Sequence, residues 1–219
     1  MRKEPRQARS RATVEAVVEA GARILSKQGW GGFTTNKVAE AAGVSIGSLY
    51  QYFPDKLSLV DAIRRRHIDD SLDAVRSALA GTESLAAFVE TLVANLIEAH
   101  SIHPGLHRVL LDEVPGLEAY RHPNHQIEAQ YLSLFTQVAA THGSSDPGVP
   151  TETVGLIMSD AIDGVIHNAA RRGRLREPAI RDELVRLICA YLGDRGAAGG
   201  QAAVTASVSD QSPASESIG

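Results

Sequence analysis

One cysteine among 219 residues, Cys189, leaves no partner for an intramolecular disulfide and points to a reducing compartment, the cytoplasm. It stands in the apolar run Leu187-Ile188-Cys189-Ala190, where a buried and inert thiol is expected rather than a reactive one. No stretch approaches the eighteen or so uninterrupted apolar residues of a membrane span, and the charged N-terminus is not followed by an apolar region of the secretory kind. No alternating strand pattern survives anywhere in the chain, and aromatic residues make up only 5% of it. Disulfide-stapled, membrane and β-sheet architectures are thereby set aside. An all-α protein remains, with 43% hydrophobic residues and enough length for a small domain joined to a larger one.

The formal net charge of −4 conceals an asymmetry. Met1 to Arg66 carry twelve Lys and Arg against six acids, a net +6, whereas the rest of the chain holds ten against twenty, a net −10. A basic head of this kind suits a phosphate backbone, and a solvated charge bias with no partner is the plainer alternative.

Residues 1–10 mix Arg, Lys, Gln and Pro without apolar periodicity and read as a flexible basic arm. A helix follows from Arg11, with Val14, Val17, Val18, Ala22 and Leu25 on one face and glycine at Gly29 to end it. Thr35 is expected to cap a second, short helix carrying Val38, Ala39 and Ala42, which Gly43 stops. Ser45 is a good N-cap for a third, with Val44 and Leu49 placed as a hydrophobic staple; Leu49 and Phe53 then face inward and Gly47, Ser48 and Gln51 outward. Small and polar residues at the exposed start of a helix are what entry into a major groove requires. Pro54 closes that helix and Asp55 caps the next, a long one with Leu57, Val60, Ile63, Ile68, Leu72, Val75 and Leu79 as its stripe. Further helices are expected over 85–100, 104–118, 122–141, 151–172 and 178–192. From Gly193 the composition falls to Gly, Ala, Ser and Gln and reads as a disordered tail. The expected divisions are thus 1–10, 11–55, 56–192 and 193–219.

From Arg11 to Ile63 the chain resembles the tetracycline-repressor-like (TetR/AcrR) transcription regulators. The residues that carry the resemblance are Ala20-Gly21-Ala22-Arg23-Ile24-Leu25, Gly29, Phe33-Thr34-Thr35, the run from Val38 to Ser45, and Gly47-Ser48-Leu49-Tyr50-Gln51-Tyr52-Phe53-Pro54-Asp55-Lys56. The resemblance implies a three-helix DNA-binding head with a helix-turn-helix, followed by a larger helical ligand-binding and dimerisation domain. It also implies a homodimeric repressor in the cytoplasm, with double-stranded operator DNA and a small-molecule effector as partners and neither a membrane nor a cofactor. By motif, Ser45 to Tyr52 resemble the recognition helix, with Gly47 allowing close approach and Ser48 and Gln51 placed to reach base edges. Tyr50, Tyr52 and Lys56 resemble phosphate contacts, with Thr35 and Lys37 on the opposite strand. Ile46 either meets a thymine methyl or packs against the head.

Two rival chemistries compete with this reading. Gly43-Val44-Ser45-Ile46-Gly47 matches the G-x-S-x-G pattern of serine hydrolases, but it follows a helix-type stretch where the nucleophile elbow needs a strand. No catalytic residue is assigned. His100, His103, His107, His122 and His125 crowd one region with Asp112 and Glu113, so a metal-responsive sensor is the alternative to a protein with an organic effector. Without a completed motif no metal ligand is assigned, and His107, Arg108, Leu111 and Glu113 are expected to line an effector cavity. For dimerisation, Ile157, Ala161 and Val165 in one helix and Leu184, Leu187, Ile188 and Tyr191 in the next form apolar stripes. They serve either a twofold four-helix interface or packing within one chain.

Overall fold

The computed structural model describes residues 8–81, 84–116, 126–143 and 148–208, and these are helical with no strand among them. The order is α1 (Ala8–Gly32), α2 (Thr35–Ala41), α3 (Ile46–Tyr52), α4 (Lys56–Leu79), α5 (Leu85–Ile102), α6 (Leu106–Asp112), α7 (Gln126–His142), α8 (Thr151–Arg171) and α9 (Pro178–Val208).

Two hydrophobic cores organise them. The first gathers Val17, Leu25, Phe33, Val38, Leu49, Phe53, Leu59 and Ile63 from α1 to α4, together with Leu106, Val109 and Leu110 of α6 and Val114 just beyond it. Phe33, Leu49 and Phe53 are fully buried, each contributing about 1.5–3 kcal/mol by removal from water. The second core takes Val75 and Ala78 of α4, Phe88, Leu92 and Leu96 of α5, Phe135 of α7, Met158 and Ile162 of α8, and Leu184, Ile188 and Leu192 of α9. α4 belongs to both. α6 lies on the far side of the boundary expected at residue 56, yet its apolar face completes the head rather than the body.

Local chemistry explains most element ends. Gly43 stops α2 at φ 67°, a left-handed conformation that a side chain would resist. Ser45 caps α3, its Oγ accepting the Ser48 amide at 3.0 Å. Asp55 caps α4 in a reciprocal box, accepting the Ser58 amide at 2.7 Å while the Ser58 hydroxyl accepts the Asp55 amide at 3.3 Å. The cap of α2 is Thr34, not Thr35: the Thr34 Oγ1 accepts the Lys37 amide, which releases Thr35 for another contact.

Other departures have physical causes. At Gly29 the backbone leaves the helix (φ 67°, ψ −177°), as the sequence suggests, but one more turn follows to Gly32 before α2. Leu57 is 46% exposed, because the stripe of α4 begins with Leu59, two residues on and so on the opposite side of the helix. α6 is half the length expected. α9 does not end at Leu192 but continues to Val208, through a stretch in which the helix-favouring residues Ala197, Ala198, Ala202, Ala203 and Ala206 outnumber the glycines. The proposed basic arm lies mostly outside the described residues, and α1 starts at Ala8 rather than Arg11.

α5 has the length and mean hydropathy, 1.3 over 18 residues, of a membrane-crossing helix. Its Phe88, Val89, Leu92, Val93 and Leu96 are nevertheless buried in the body core.

Candidate DNA-binding face and body cavity

The α2–turn–α3 unit displays the residues singled out in the sequence. On α3, Leu49 anchors the inner side, which leaves Ile46, Gly47, Tyr50 and Gln51 exposed and Ser48 half-buried. Ile46 is 38% exposed and does not pack into the head. Tyr52 is half-buried against the head core. The Tyr50 hydroxyl and the Thr35 hydroxyl are 3.0 Å apart, so the two helices present one continuous polar edge. Ser45 is held as a helix cap, with its Oγ 2.8 Å from that of Ser48, in a helix-to-helix turn and not on a strand-to-helix elbow.

Both lysines expected on phosphates are tied to the protein. Lys37 donates to the Gln28 Oε1 and to the Gly32 carbonyl, each at 2.9 Å, and so closes the last turn of α1. Lys56 donates to the Trp30 carbonyl at 3.0 Å and lies 3.2 Å from the centre of the indole ring. Partial burial lowers its pKa from the usual lysine value. Lys56 is therefore first a fastener between α4 and Trp30, and its charge faces the indole rather than open solvent.

The body holds a cavity of about 560 Å³ between α4, α6, α7 and α8, with His100 of α5 in its wall. His107, Arg108 and Leu111 line it as expected. Glu113 does not. Its carboxylate turns toward the head, accepts the Trp30 amide at 2.9 Å and pairs with Arg108. The Trp30 amide and then the Arg108 guanidinium hold its carboxyl below the usual glutamate range. A Cβ added at Gly29 would sit 2.6 Å from the Glu113 Oε2, so the kink in α1 is what admits this carboxylate.

The histidines are regrouped in space. His103 leaves the cluster for Glu19, with its Nε2 3.2 Å from Oε1, and His122 and His125 lie outside the described residues. His100 and His107 are joined instead by His67 of α4 and His167 of α8, and the four offer ring nitrogens within 4.8 Å of one another. Desolvation first, and neighbouring imidazoles second, push His67 and His167 down, the latter to about 3; burial also lowers His100. Burial thus favours the neutral imidazole in all three. His67 was legible only as a polar residue four after Ile63 on the inner side of α4, and His167 as a residue four after Asp163 on α8.

The two candidate dimer stripes divide. Leu184 and Ile188 are buried in the body core, so these two serve packing within the chain. Gly155 also works within the chain, where a Cβ would meet the Thr136 amide nitrogen of α7 at 2.7 Å. Ile157 and Leu187 remain 47% and 49% exposed, and Leu156 joins them. Ala161, Val165 and Tyr191 are half-buried beside that surface.

A helix-turn-helix on a three-helix head, borne by a cavity-containing helical body, is the architecture of the helix-turn-helix DNA-binding class. Residues 17–63 match the model of the bacterial regulatory proteins of the tetR family, and residues 84–192 the tetracyclin repressor-like C-terminal domain. The chain belongs to the TetR family of transcription regulators. It is 32% identical over 103 residues to the HTH-type transcriptional repressor KstR2 of Rhodococcus jostii, covering 47% of this chain and 50% of that protein. It is 36% identical over 88 residues to the nucleoid occlusion factor SlmA of Haemophilus ducreyi, covering 40% and 43%. The chain thus spans about half the length, or less, of these relatives. The fatty acid degradation regulator FadR of Bacillus halodurans shares the fold at 17% identity, with a TM-score of 0.66 over 80% of this chain and 96% of that one.

Proposed function

We propose that the protein is a cytoplasmic homodimeric repressor that grips operator DNA with the α2–α3 units of two copies and releases it when the body cavity is filled. The observation that carries the reading is the outer edge of α3, where Ile46, Gly47 and Gln51 stand exposed on a helix fixed from behind by Leu49 and Phe53. Ser48 and Gln51 reach base edges and Gly47 lets the backbone approach. Thr35, Ser45, Tyr50 and Tyr52 contact phosphates with hydroxyl groups, while Lys37 and Lys56 hold the head in the shape that allows it. Ile46 supplies an apolar contact to a thymine methyl.

Dimerisation by Leu156, Ile157, Ala161, Val165, Leu187 and Tyr191 brings two short recognition helices to one inverted repeat. The signal runs through α6. His107, Arg108 and Leu111 touch the cavity, Leu106, Val109 and Leu110 belong to the head core, and the Arg108–Glu113 pair holds Trp30, whose carbonyl holds Lys56. An effector that engages Arg108 or displaces α6 changes the seat of the head. It must favour the released form by about 1.4 kcal/mol for each tenfold loss of operator affinity.

The test is a gel-shift titration against the DNA upstream of the gene, with unrelated duplex of equal length as competitor, at two salt concentrations. Selective and salt-sensitive binding is expected. Equal affinity for both duplexes at both salts refutes the reading.

A further inference from the structure

We infer that His67, His100, His107 and His167 form a binding site for a divalent first-row transition ion, of which Zn²⁺ is the type, inside the body cavity. One imidazole comes from each of α4, α5, α6 and α8, and their ligand atoms lie within 4.8 Å of one another. In a tetrahedral zinc site, with Zn–N bonds of about 2.0–2.1 Å, the nitrogens stand about 3.3 Å apart. Closing the set on an ion requires the His107 and His167 rings, which stack face to face, to turn until their in-plane lone pairs converge.

The hydrogen bonds favour an ion over a hydrophobic occupant. The His100 Nδ1 is 2.8 Å from the Leu96 carbonyl, which can only accept, so Nδ1 carries the proton and Nε2 keeps its lone pair. That arrangement, a backbone carbonyl behind a ligating imidazole, is the usual support of a metal-bound histidine. His167 has a buried Nε2 with no hydrogen-bond partner. An unsatisfied buried nitrogen is costly unless something meets it. The His67 Nε2 and His107 Nδ1 are 3.2 Å apart, one donating to the other, a bond that an ion would replace. The His107 and His167 rings stack face to face, with centroids 3.2 Å apart and planes within 6°. Two cationic rings would repel at this distance, so at least one of the pair is neutral, the state in which imidazole ligates. An all-imidazole donor set suits Zn²⁺, Co²⁺, Ni²⁺ and Cu²⁺ and does not suit Mg²⁺ or Ca²⁺, which require oxygen ligands. The same cavity wall carries Asp112 and Asp163, the latter accepting the Tyr131 hydroxyl at 2.9 Å, together with Arg64, Arg108 and Arg171, so the imidazoles and not the wall charge would hold the ion.

The regulatory consequence rests on the repressor reading above. His107 lies on α6, so contraction of the four rings draws on the helix that Glu113 caps at its C-terminal end and, through that carboxylate, on Trp30.

The full-length protein, stripped with a chelator, is titrated with Co²⁺ and followed by the visible d–d absorption of tetrahedral cobalt; Zn²⁺ is then competed against a chromophoric chelator. One ion per chain is expected. His167→Gln and His107→Gln each weaken binding at least tenfold, whereas His103→Gln, altered outside the cluster, binds as the wild type does. Circular dichroism checks that the variants fold, and the wild-type titration stands without them. Absence of tetrahedral cobalt bands together with no competition for Zn²⁺ overturns the site, as does unaltered binding by both cluster variants. Operator binding is measured with and without Zn²⁺ as a separate arm. A change of tenfold or more supports the coupling, and metal binding with no change in operator affinity overturns the coupling while leaving the site. Metal binding by a protein that shows no DNA selectivity keeps the site and removes the repressor reading.

Discussion

Gln51 and Lys56 show how differently two residues of one motif act. Gln51 is exposed on α3 with its amide free to read a base edge, so Gln51→Ala is expected to change the order of preference among operator variants by about 1–3 kcal/mol at one position. Competition gel shifts over a panel of single-base operator changes measure it, and an unchanged ranking removes Gln51 from the reading set. Lys56 instead lies over the Trp30 ring. Lys56→Ala is therefore expected to lower the melting temperature, with a loss of about 0.5–2 kcal/mol, and to weaken operator binding without altering its salt dependence. A phosphate-contacting lysine would instead reduce the salt slope by about one. The same measurement on Tyr50→Phe, which removes the hydroxyl that meets Thr35, should show equal weakening for all operator sequences.

At the level of the helices, the short ones of the head are legible because their signals are local. Gly43, Ser45, Pro54 and Asp55 sit within a dozen residues and each acts on its immediate neighbours. The caps were displaced by at most one position, from Thr35 to Thr34, since both residues offer the same hydroxyl. The cavity was legible only in part. Its histidines come from four helices spread over a hundred residues, and a cluster drawn from sequence proximity keeps His103, which faces Glu19, while missing His67 and His167. Glu113 was misplaced for a similar reason: its partner Trp30 is 83 residues away, and nothing near Glu113 announces it.

That long-range contact makes a sharp prediction for α1 and α6. Gly29→Ala puts a methyl 2.6 Å from the Glu113 Oε2 and forces a side chain to φ 67°. A loss of stability of about 1–3 kcal/mol is expected from the backbone and the displaced carboxylate together, measured by urea unfolding. A variant as stable as the wild type would show that the kink adjusts freely. The buried imidazoles give a pH dependence in chelator-treated protein. His67, His100 and His167 have folded pKa values below the ordinary 6.5, the last at about 3, so the unfolded chain binds protons first. Their contribution is complete above pH 6.5 and is lost as pH falls from there toward the folded values. The melting temperature should drop between pH 7 and pH 5, and His167→Gln should flatten the fall.

For the whole molecule, the exposed Leu156, Ile157 and Leu187 set the expected assembly. Ile157→Asp with Leu187→Asp is expected to yield a folded monomer by light scattering and to cost the protein its high-affinity operator complex, since a single head retains only its own contacts. A double variant that remains dimeric would move the interface elsewhere.

The sharing of α6 bears on how the molecule can be divided. Leu106, Val109 and Leu110 reach the head only after the chain has run through α4 and α5, so a head cut out before α6 leaves the apolar face of α1 without part of its cover. Grafting this head onto another body at the start of α4, a natural seam by sequence, exposes apolar surface on both halves. The DNA-binding head and the cavity wall are thus built on one shared helix, so an exchange of heads between bodies costs both halves packing.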